Sequence, residues 1–167
     1  MPEHVVICDT APMVYLYSMD SLWILEKLYK KIIVSAEVVG ELDAAQLEER
    51  DVPVIYEHPW IQMRSARFEL FTQFKAILGP VEGSILALAA DQANQPALVI
   101  MDDRFGRKVA ADRQILTTGT VGVLMKAKIS GIIDTVKDKL DVLIAAGYHI
   151  DHYFYADILS LAGETEV

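Results

Sequence analysis

Short apolar runs alternate along this chain with longer segments whose apolar residues recur at helical spacing. Such alternation is typical of α/β proteins, in which helices connect each strand to a parallel neighbour. The clearest strand, 96–101, is almost entirely apolar and is expected to be buried. The sequence therefore predicts a three-layer α/β/α architecture around a central, mainly parallel sheet of roughly four to five strands.

Turn and capping signals set the boundaries of the elements. Asp9 and Ser35 each precede a helical pattern and can cap it, and Gly79-Pro80 opens another helix. Strands are predicted at 4–8, 31–34, 96–101 and 114–117, and 52–56 and 60–64 are both strand candidates. Helices are predicted from the Asp9 cap to about residue 28, from Ser35 to about 50, and over 68–78, 80–94, 104–112, 120–130, 134–147 and 150–162.

Composition limits the class of protein. The length of 167 residues suits one domain over 1–167, with a helical C-terminal part from about residue 120. A net charge of −9 argues against nonspecific nucleic-acid binding by the whole chain. The single cysteine, Cys8, excludes a disulfide framework and favours a cytoplasmic location. Neither a signal peptide nor a membrane span is predicted.

Acidic residues follow the first strand and lie on the helix after the second. Asp9 comes directly after the first strand, where a plain helix cap is an equally good explanation. Glu37 and Glu41 lie four residues apart on one helix face. The helix dipole explains Glu37 in the first turn, but it helps Glu41 little, so Glu41 is either functional or on a solvated face.

Glu82 shares a helix face with apolar residues. Ile85, Leu86 and Ala89 follow it at i+3, i+4 and i+7, so its carboxylate is expected to point toward the sheet. Such a group needs a partner. The alternative is a glutamate in the third helical position that bonds back to the backbone at the helix start.

Asp102 and Asp103 end the most apolar strand. Neighbouring carboxylates that close in a core strand repel each other and lose hydration, and a bound divalent cation would offset that cost. One of them capping the next helix and the other being solvated is the alternative. In open α/β sheets, functional groups gather at the carboxyl ends of strands, so all these acids can converge on one edge.

Carboxylate clusters without His or Cys prefer hard cations, here Mg²⁺ or Mn²⁺. Such cations serve phosphoryl chemistry, because they generate a hydroxide nucleophile and neutralise developing charge. The sequence therefore predicts a metal site for phosphoryl transfer or hydrolysis.

Five segments and the tail resemble the PIN-domain ribonucleases, and more closely their VapC-like toxin branch. The segments are VICDT at 6–10, SAEVVGEL at 35–42, LGPVEGSILALA at 78–89, VIMDDRFGRKVA at 99–110 and TGTVGVL at 118–124, and the tail runs from 131 to 164. The resemblance covers nearly the whole chain and rests on the order and spacing of these pieces.

The resemblance implies a Mg²⁺- or Mn²⁺-dependent endoribonuclease, often the toxin of a toxin–antitoxin pair. Such proteins commonly form homodimers and are inhibited by a cognate antitoxin. In the implied mechanism, carboxylates hold one or two cations, which activate water to attack an RNA phosphodiester in line.

The resemblance also assigns residues by position. The catalytic, metal-binding acids fall on Asp9, Glu41, Glu82 and the Asp102-Asp103 pair. Asp103 is favoured within the pair, because the family pattern has Asp followed by Arg or Lys, and Asp102 could assist or substitute.

Basic and hydroxyl residues complete the assignment. Arg104, Arg107 and Lys108 are candidates for contacts with the RNA phosphates, with surface solubility as the alternative. Many relatives place one more acid, Ser or Thr after the fifth strand, and here Thr118 and Thr120 occupy that region.

Three other classes of protein compete with this interpretation. A receiver-type phosphoacceptor needs an acidic pair after the first strand and a lysine after the fifth, which this chain lacks. A haloacid-dehalogenase-type phosphatase needs a second aspartate two residues after Asp9, where Ala11 stands. A catalytically weak or inactive PIN-like scaffold that binds protein or RNA fits the high apolar content and the absence of a late acid.

Overall fold

In the computed structural model of the chain, which describes residues 4–164, five strands form one parallel sheet. The strands are β1 (Val5–Cys8), β2 (Ile32–Ser35), β3 (Ile61–Arg64), β4 (Ala97–Ile100) and β5 (Leu116–Thr118), in the spatial order β3-β2-β1-β4-β5. The predicted three-layer α/β/α class is confirmed.

Nine α-helices flank the sheet within residues 4–164. They are α1 (Thr10–Ser18), α2 (Trp23–Tyr29), α3 (Ala36–Leu47), α4 (Phe68–Leu78), α5 (Pro80–Ala90), α6 (Arg104–Asp112), α7 (Thr120–Ile129), α8 (Lys137–Ala145) and α9 (His152–Leu161). Right-handed crossovers place α1 and α2 on one face of the sheet and α5 on the other. Accordingly, α5 packs across β1, β2 and β4, and α7 packs against α1 and α2.

The core follows from burial of the central strands on both faces. Ile7, Val34, Val99 and Ile100 are completely buried, although their side chains alternate between the two sides of the sheet. Continuous apolar runs are required for such strands, which explains why the sequence marks them clearly.

Two predicted elements differ in the structure. The predicted helix from 10 to about 28 is two helices, because the chain turns between Met19 and Leu22 and Asp20 adopts a positive φ of 51°. The candidate strand 52–56 is wrong, since that segment leads into a 3₁₀ turn at Ile55–Glu57. Pro53 has no N–H to donate to a ladder, which disfavours a strand there.

A close helix pair positions the start of α5. Gly79 joins α4 to α5 with a positive φ of 85°, and Gly83 lies so near α4 that a Cβ there would be 2.7 Å from the Lys75 backbone nitrogen. Only glycine permits this approach. As a result, the first turn of α5, which carries Glu82, is fixed against α4.

Glu164 closes the far end of the described chain. Its carboxylate accepts hydrogen bonds from the backbone N–H groups of Val136 at 2.8 Å and Lys137 at 3.1 Å. It also lies 3.4 Å from the Lys128 ammonium. The residue thereby caps α8 from outside the helix and ties the segment after α9 to α7 and α8. None of the helices in residues 4–164 is long and apolar enough to cross a membrane.

Candidate metal centre at the carboxyl edge of the sheet

Asp9 lies where the direction of strand addition reverses. The chain adds β2 and β3 on one side of β1 and then β4 and β5 on the other, so β1 and β4 form the topological switch point. The Asp9 N–H donates to the carbonyl of Ile100 at 2.9 Å. Its carboxylate caps α1 by accepting from the Thr10 N–H at 2.7 Å. The residue is 6% exposed.

The electrostatics of Asp9 connect it with three other predicted acids. Burial raises the pKa of Asp9 to about 7, although the Thr10 N–H opposes the shift. The negative charges of Glu82, Glu41 and Asp102 raise the pKa further. These four carboxylates therefore share one electrostatic environment at the carboxyl edge of the sheet.

Asp102 is the most firmly held of the four. Its Oδ1 accepts hydrogen bonds from the Thr120 N–H and from the Tyr148 hydroxyl, each at 2.8 Å. Its Oδ2 accepts from the Thr120 hydroxyl at 2.6 Å. Three donors from two distant segments thus fix a half-buried carboxylate next to the switch point.

Asp103 points elsewhere. It is exposed, and its Oδ2 accepts from the Gly106 N–H at 2.6 Å, which makes it the cap of α6. Asp103 does not contribute to the pKa shift of Asp9. The geometry therefore favours Asp102, the residue predicted to assist, over Asp103 as the fourth acid of the cluster.

Glu41 and Glu82 reach the site from two helices. Glu41 is exposed on α3, and Glu82 is half-buried in the first turn of α5. The hydroxyls of Ser35 and Ser84 lie 2.7 Å apart in the interior and join the starts of these helices. The Ser35 hydroxyl also caps α3. This buried contact sets the relative position of the two glutamates.

The hydroxyl residues after β5 have different surroundings. Thr120 is completely buried, and both its N–H and its hydroxyl donate hydrogen bonds to Asp102. Thr118 ends β5 and is half-buried. Thr120 thus acts on the acid cluster through Asp102.

One of the three predicted basic residues, Arg107, lies near the acids. A Cβ built on Gly119 would lie 2.7 Å from Asp102 Oδ1 and 3.0 Å from Arg107 Nη1, so Gly119 leaves room for both side chains. All three basic residues are exposed on α6, and in the described part of the chain none of them forms an ion pair with a carboxylate.

Tyr148 is the site residue that the sequence does not reveal. It follows α8, is separated from Asp102 by 46 positions, and donates to it from its phenol. Its ring packs edge-on against Tyr15 of α1, with centroids 5.2 Å apart. No local pattern marks this tyrosine, because its partner Asp102 follows β4, 46 positions earlier in the chain.

The donor set fits a hard divalent cation. Within residues 4–164, no three His, Cys, Asp or Glu side chains are arranged to hold a metal ion together. The chemistry of the set is nevertheless all oxygen and all anionic, which suits Mg²⁺ or Mn²⁺.

Fold and site define a class: a parallel α/β domain with a carboxylate cluster at its switch point. A family model described as a PIN domain matches residues 5–164, and the chain belongs to the PIN domain family. PIN domains are generally nucleases and typically use divalent metals, so this is a nuclease-type fold. No curated protein matches the sequence.

Proposed function

We propose that this PIN domain is a Mg²⁺- or Mn²⁺-dependent endoribonuclease and the toxin of a VapC-like toxin–antitoxin pair. The observation that carries the proposal is the buried carboxylate of Asp9, whose pKa is raised to about 7 beside Glu82, Glu41 and Asp102. In the described part of the chain this carboxylate accepts one hydrogen bond, from the Thr10 backbone, so no cationic side chain compensates it. A hard cation is the missing counter-charge that this environment favours.

Asp9, Glu41, Glu82 and Asp102 would hold the cation. When bound, it would act as a Lewis acid beside a scissile phosphate and neutralise the charge that develops there. Thr120 and Tyr148 hold Asp102 in one orientation, so this carboxylate is positioned before anything binds.

RNA is the proposed substrate. Arg107 lies beside Gly119 at the edge of the acid cluster, where its guanidinium can donate to a phosphate oxygen. Arg104 and Lys108 extend this positive charge along the exposed side of α6. The local charge offsets the repulsion between the acidic chain and a polyanion.

The proposed partners are a second copy of the chain and an antitoxin. Support for a protein partner comes from exposed apolar side chains on α9 and β5, among them Leu116, Phe154 and Leu161. Phe154 and Leu161 line a groove of about 320 Å³ together with Arg107 and Gly119. An antitoxin segment in this groove would lie beside Asp102 and block the substrate.

A catalytically weak scaffold is the competing function. One observation favours it: Thr120 is completely buried and its hydroxyl donates to Asp102, so Thr120 offers no accessible oxygen ligand after β5.

Cleavage of labelled RNA tests the proposal. Purified protein is incubated with single-stranded and structured RNA in Mn²⁺ or in EDTA, as wild type, as Asp9→Asn and as Asp43→Asn, which removes an exposed charge from α3. We expect cleavage in Mn²⁺ only, a loss on the order of 100-fold for Asp9→Asn, and no change for Asp43→Asn. No metal-dependent cleavage, or equal cleavage by Asp9→Asn, would overturn the nuclease and favour the scaffold.

A further inference from the structure

A cleft of about 450 Å³ opens beside the acid cluster, on the side of α1. It is lined by Thr10, Ala11, Val14, Tyr15, Ser18, Glu41, Arg50 and Ala146. Two of these residues connect it directly to the metal centre, because Thr10 follows Asp9 and Glu41 is one of the four acids. The cleft is therefore the space next to the proposed reaction site.

The lining of the cleft has the chemistry of a base-binding site. One wall of the cleft is apolar and consists of Ala11, Val14 and Ala146. The half-buried ring of Tyr15 provides an aromatic surface. Arg50 is the single cation in the lining, and Glu41 is its single carboxylate. The two charges balance, so the cleft has no net positive charge that would favour a phosphate group.

One detail indicates that the cleft suits a flat aromatic ligand. The ring of Tyr15 is held edge-on by Tyr148, at a centroid distance of 5.2 Å. An aromatic surface fixed in this way loses little entropy when a base stacks on it.

We propose that this cleft binds one unpaired nucleobase of the RNA substrate, stacked on Tyr15 and next to the scissile phosphate. The inference rests on the proposed function for the identity of the ligand. Sequence-tolerant stacking of bases on aromatic side chains is how many proteins hold single-stranded RNA. The volume of the cleft is within the range of sites that enclose small ligands.

Binding in EDTA tests this subsite without cleavage. Fluorescence anisotropy compares a labelled single-stranded RNA with an oligomer of the same length whose central positions are abasic. We expect wild type to prefer the base-bearing RNA by at least about fivefold, Tyr15→Leu to lose the preference, and Tyr15→Phe to keep it. Tyr56→Leu, at a tyrosine that is 86% exposed, is the matched control and should behave as wild type.

A second variant separates stacking from support of Asp102. Tyr148→Phe keeps the ring against Tyr15 and removes the hydroxyl, so it should retain the base preference in EDTA. A wild type that binds both oligomers equally, or a Tyr15→Leu variant that keeps the preference, would overturn the subsite. Metal-dependent cleavage with no base preference would overturn the subsite alone, whereas a Tyr15-dependent preference without cleavage would overturn the nuclease alone.

Discussion

The Tyr148 hydroxyl donates a 2.8 Å hydrogen bond to Oδ1 of Asp102, which joins the segment after α8 to the carboxyl end of β4. Burial of the phenol and the nearby Asp102 charge raise the pKa of Tyr148 well above its usual value. The tyrosine therefore stays protonated and remains a donor. A residue between α8 and α9 thus acts on an acid that follows β4.

Replacing Tyr148 by Phe should weaken metal binding more than it weakens the fold. The change removes one of three hydrogen bonds to Asp102 and leaves the ring contact with Tyr15. We expect Mn²⁺ affinity to fall about tenfold, as for other residues that orient a ligand. The free energy of unfolding should fall by only about 1 kcal/mol. Electron paramagnetic resonance measures free Mn²⁺, and Tyr153→Phe is the control; unchanged affinity contradicts the positioning role.

Asp102→Asn and Asp103→Asn should behave very differently although the residues are neighbours. Asparagine caps a helix about as well as aspartate, so Asp103→Asn should keep stability and stay within about threefold of wild-type cleavage. Asp102→Asn removes a carboxylate from the cluster and should reduce cleavage on the order of 100-fold. Cleavage assays of the two variants side by side test this prediction. A larger loss of cleavage for Asp103→Asn than for Asp102→Asn would make Asp103 the fourth acid of the cluster.

Asp9 should make the metal-free protein less stable as pH rises. Its pKa is raised from 3.8 to about 7 in the folded chain, chiefly by burial, so between these values the folded state binds the proton that the unfolded state releases. Stability therefore falls through that window and levels off above it. Asp9→Asn keeps a capping group without the charge, and should be more stable than wild type by about 2–4 kcal/mol at pH 8 but equal at about pH 4.

Urea unfolding in EDTA measures this difference. If the free energy of unfolding had the same pH dependence in wild type and in Asp9→Asn, the raised pKa of Asp9 would be contradicted. Added Mn²⁺ should raise the stability of wild type above pH 7 and have less effect on Asp9→Asn, because ligand that binds the folded state stabilises it.

Two glycine substitutions should have opposite effects. In Gly83→Ala the new Cβ would be 2.7 Å from the Lys75 backbone nitrogen and 2.8 Å from its Cα, and backbone atoms cannot move aside easily. We expect a loss of about 2 kcal/mol or more in the free energy of unfolding. Gly40→Ala meets nothing within 4 Å on α3 and should gain about 0.5–1 kcal/mol from helix propensity. Thermal and urea unfolding test both, and equal stabilities would contradict the close α4–α5 contact.

Glu164→Ala should destabilise the C-terminal helices. Two backbone N–H groups at the start of α8 lose their acceptor, and Lys128 loses its partner. The expected cost is about 1–2 kcal/mol, similar to that of other lost helix caps. Hydrogen exchange at Val136 and Lys137 should accelerate; unchanged exchange there would show that the cap contributes nothing.

The sequence predicts the interior of the fold better than its turns. β1, β2 and β4 are found within a residue or two, because buried parallel strands are apolar throughout. The break between α1 and α2 is missed, because Asp20 adopts its positive φ without a glycine or proline to signal it. The prediction of a strand at 52–56 is wrong, because the apolar residues on both sides of Pro53 have the pattern of a strand although the segment forms none.

The site is partly predictable for related reasons. The rule that parallel strand ends gather at one edge is enough to assign Asp9 and the Asp102-Asp103 pair to the same region of the sheet. The same rule does not tell whether Asp102 or Asp103 joins the cluster. Neighbouring residues after a strand point in different directions, so a shift of one position at the strand end would exchange the two. Tyr148 cannot be assigned from local patterns, because its contact joins two segments that are 46 positions apart in the chain.

The contact between Tyr148 and Asp102 also has a consequence for biosynthesis. Asp9 follows β1 and is synthesised before β4, and the tyrosine that holds Asp102 is synthesised later still. Contacts between such distant segments form only when most of the chain is available to fold. A nascent chain that still lacks Tyr148 therefore carries Asp9 without the hydrogen bond that fixes Asp102, and the acid cluster is complete only after the segment following α8 has been synthesised.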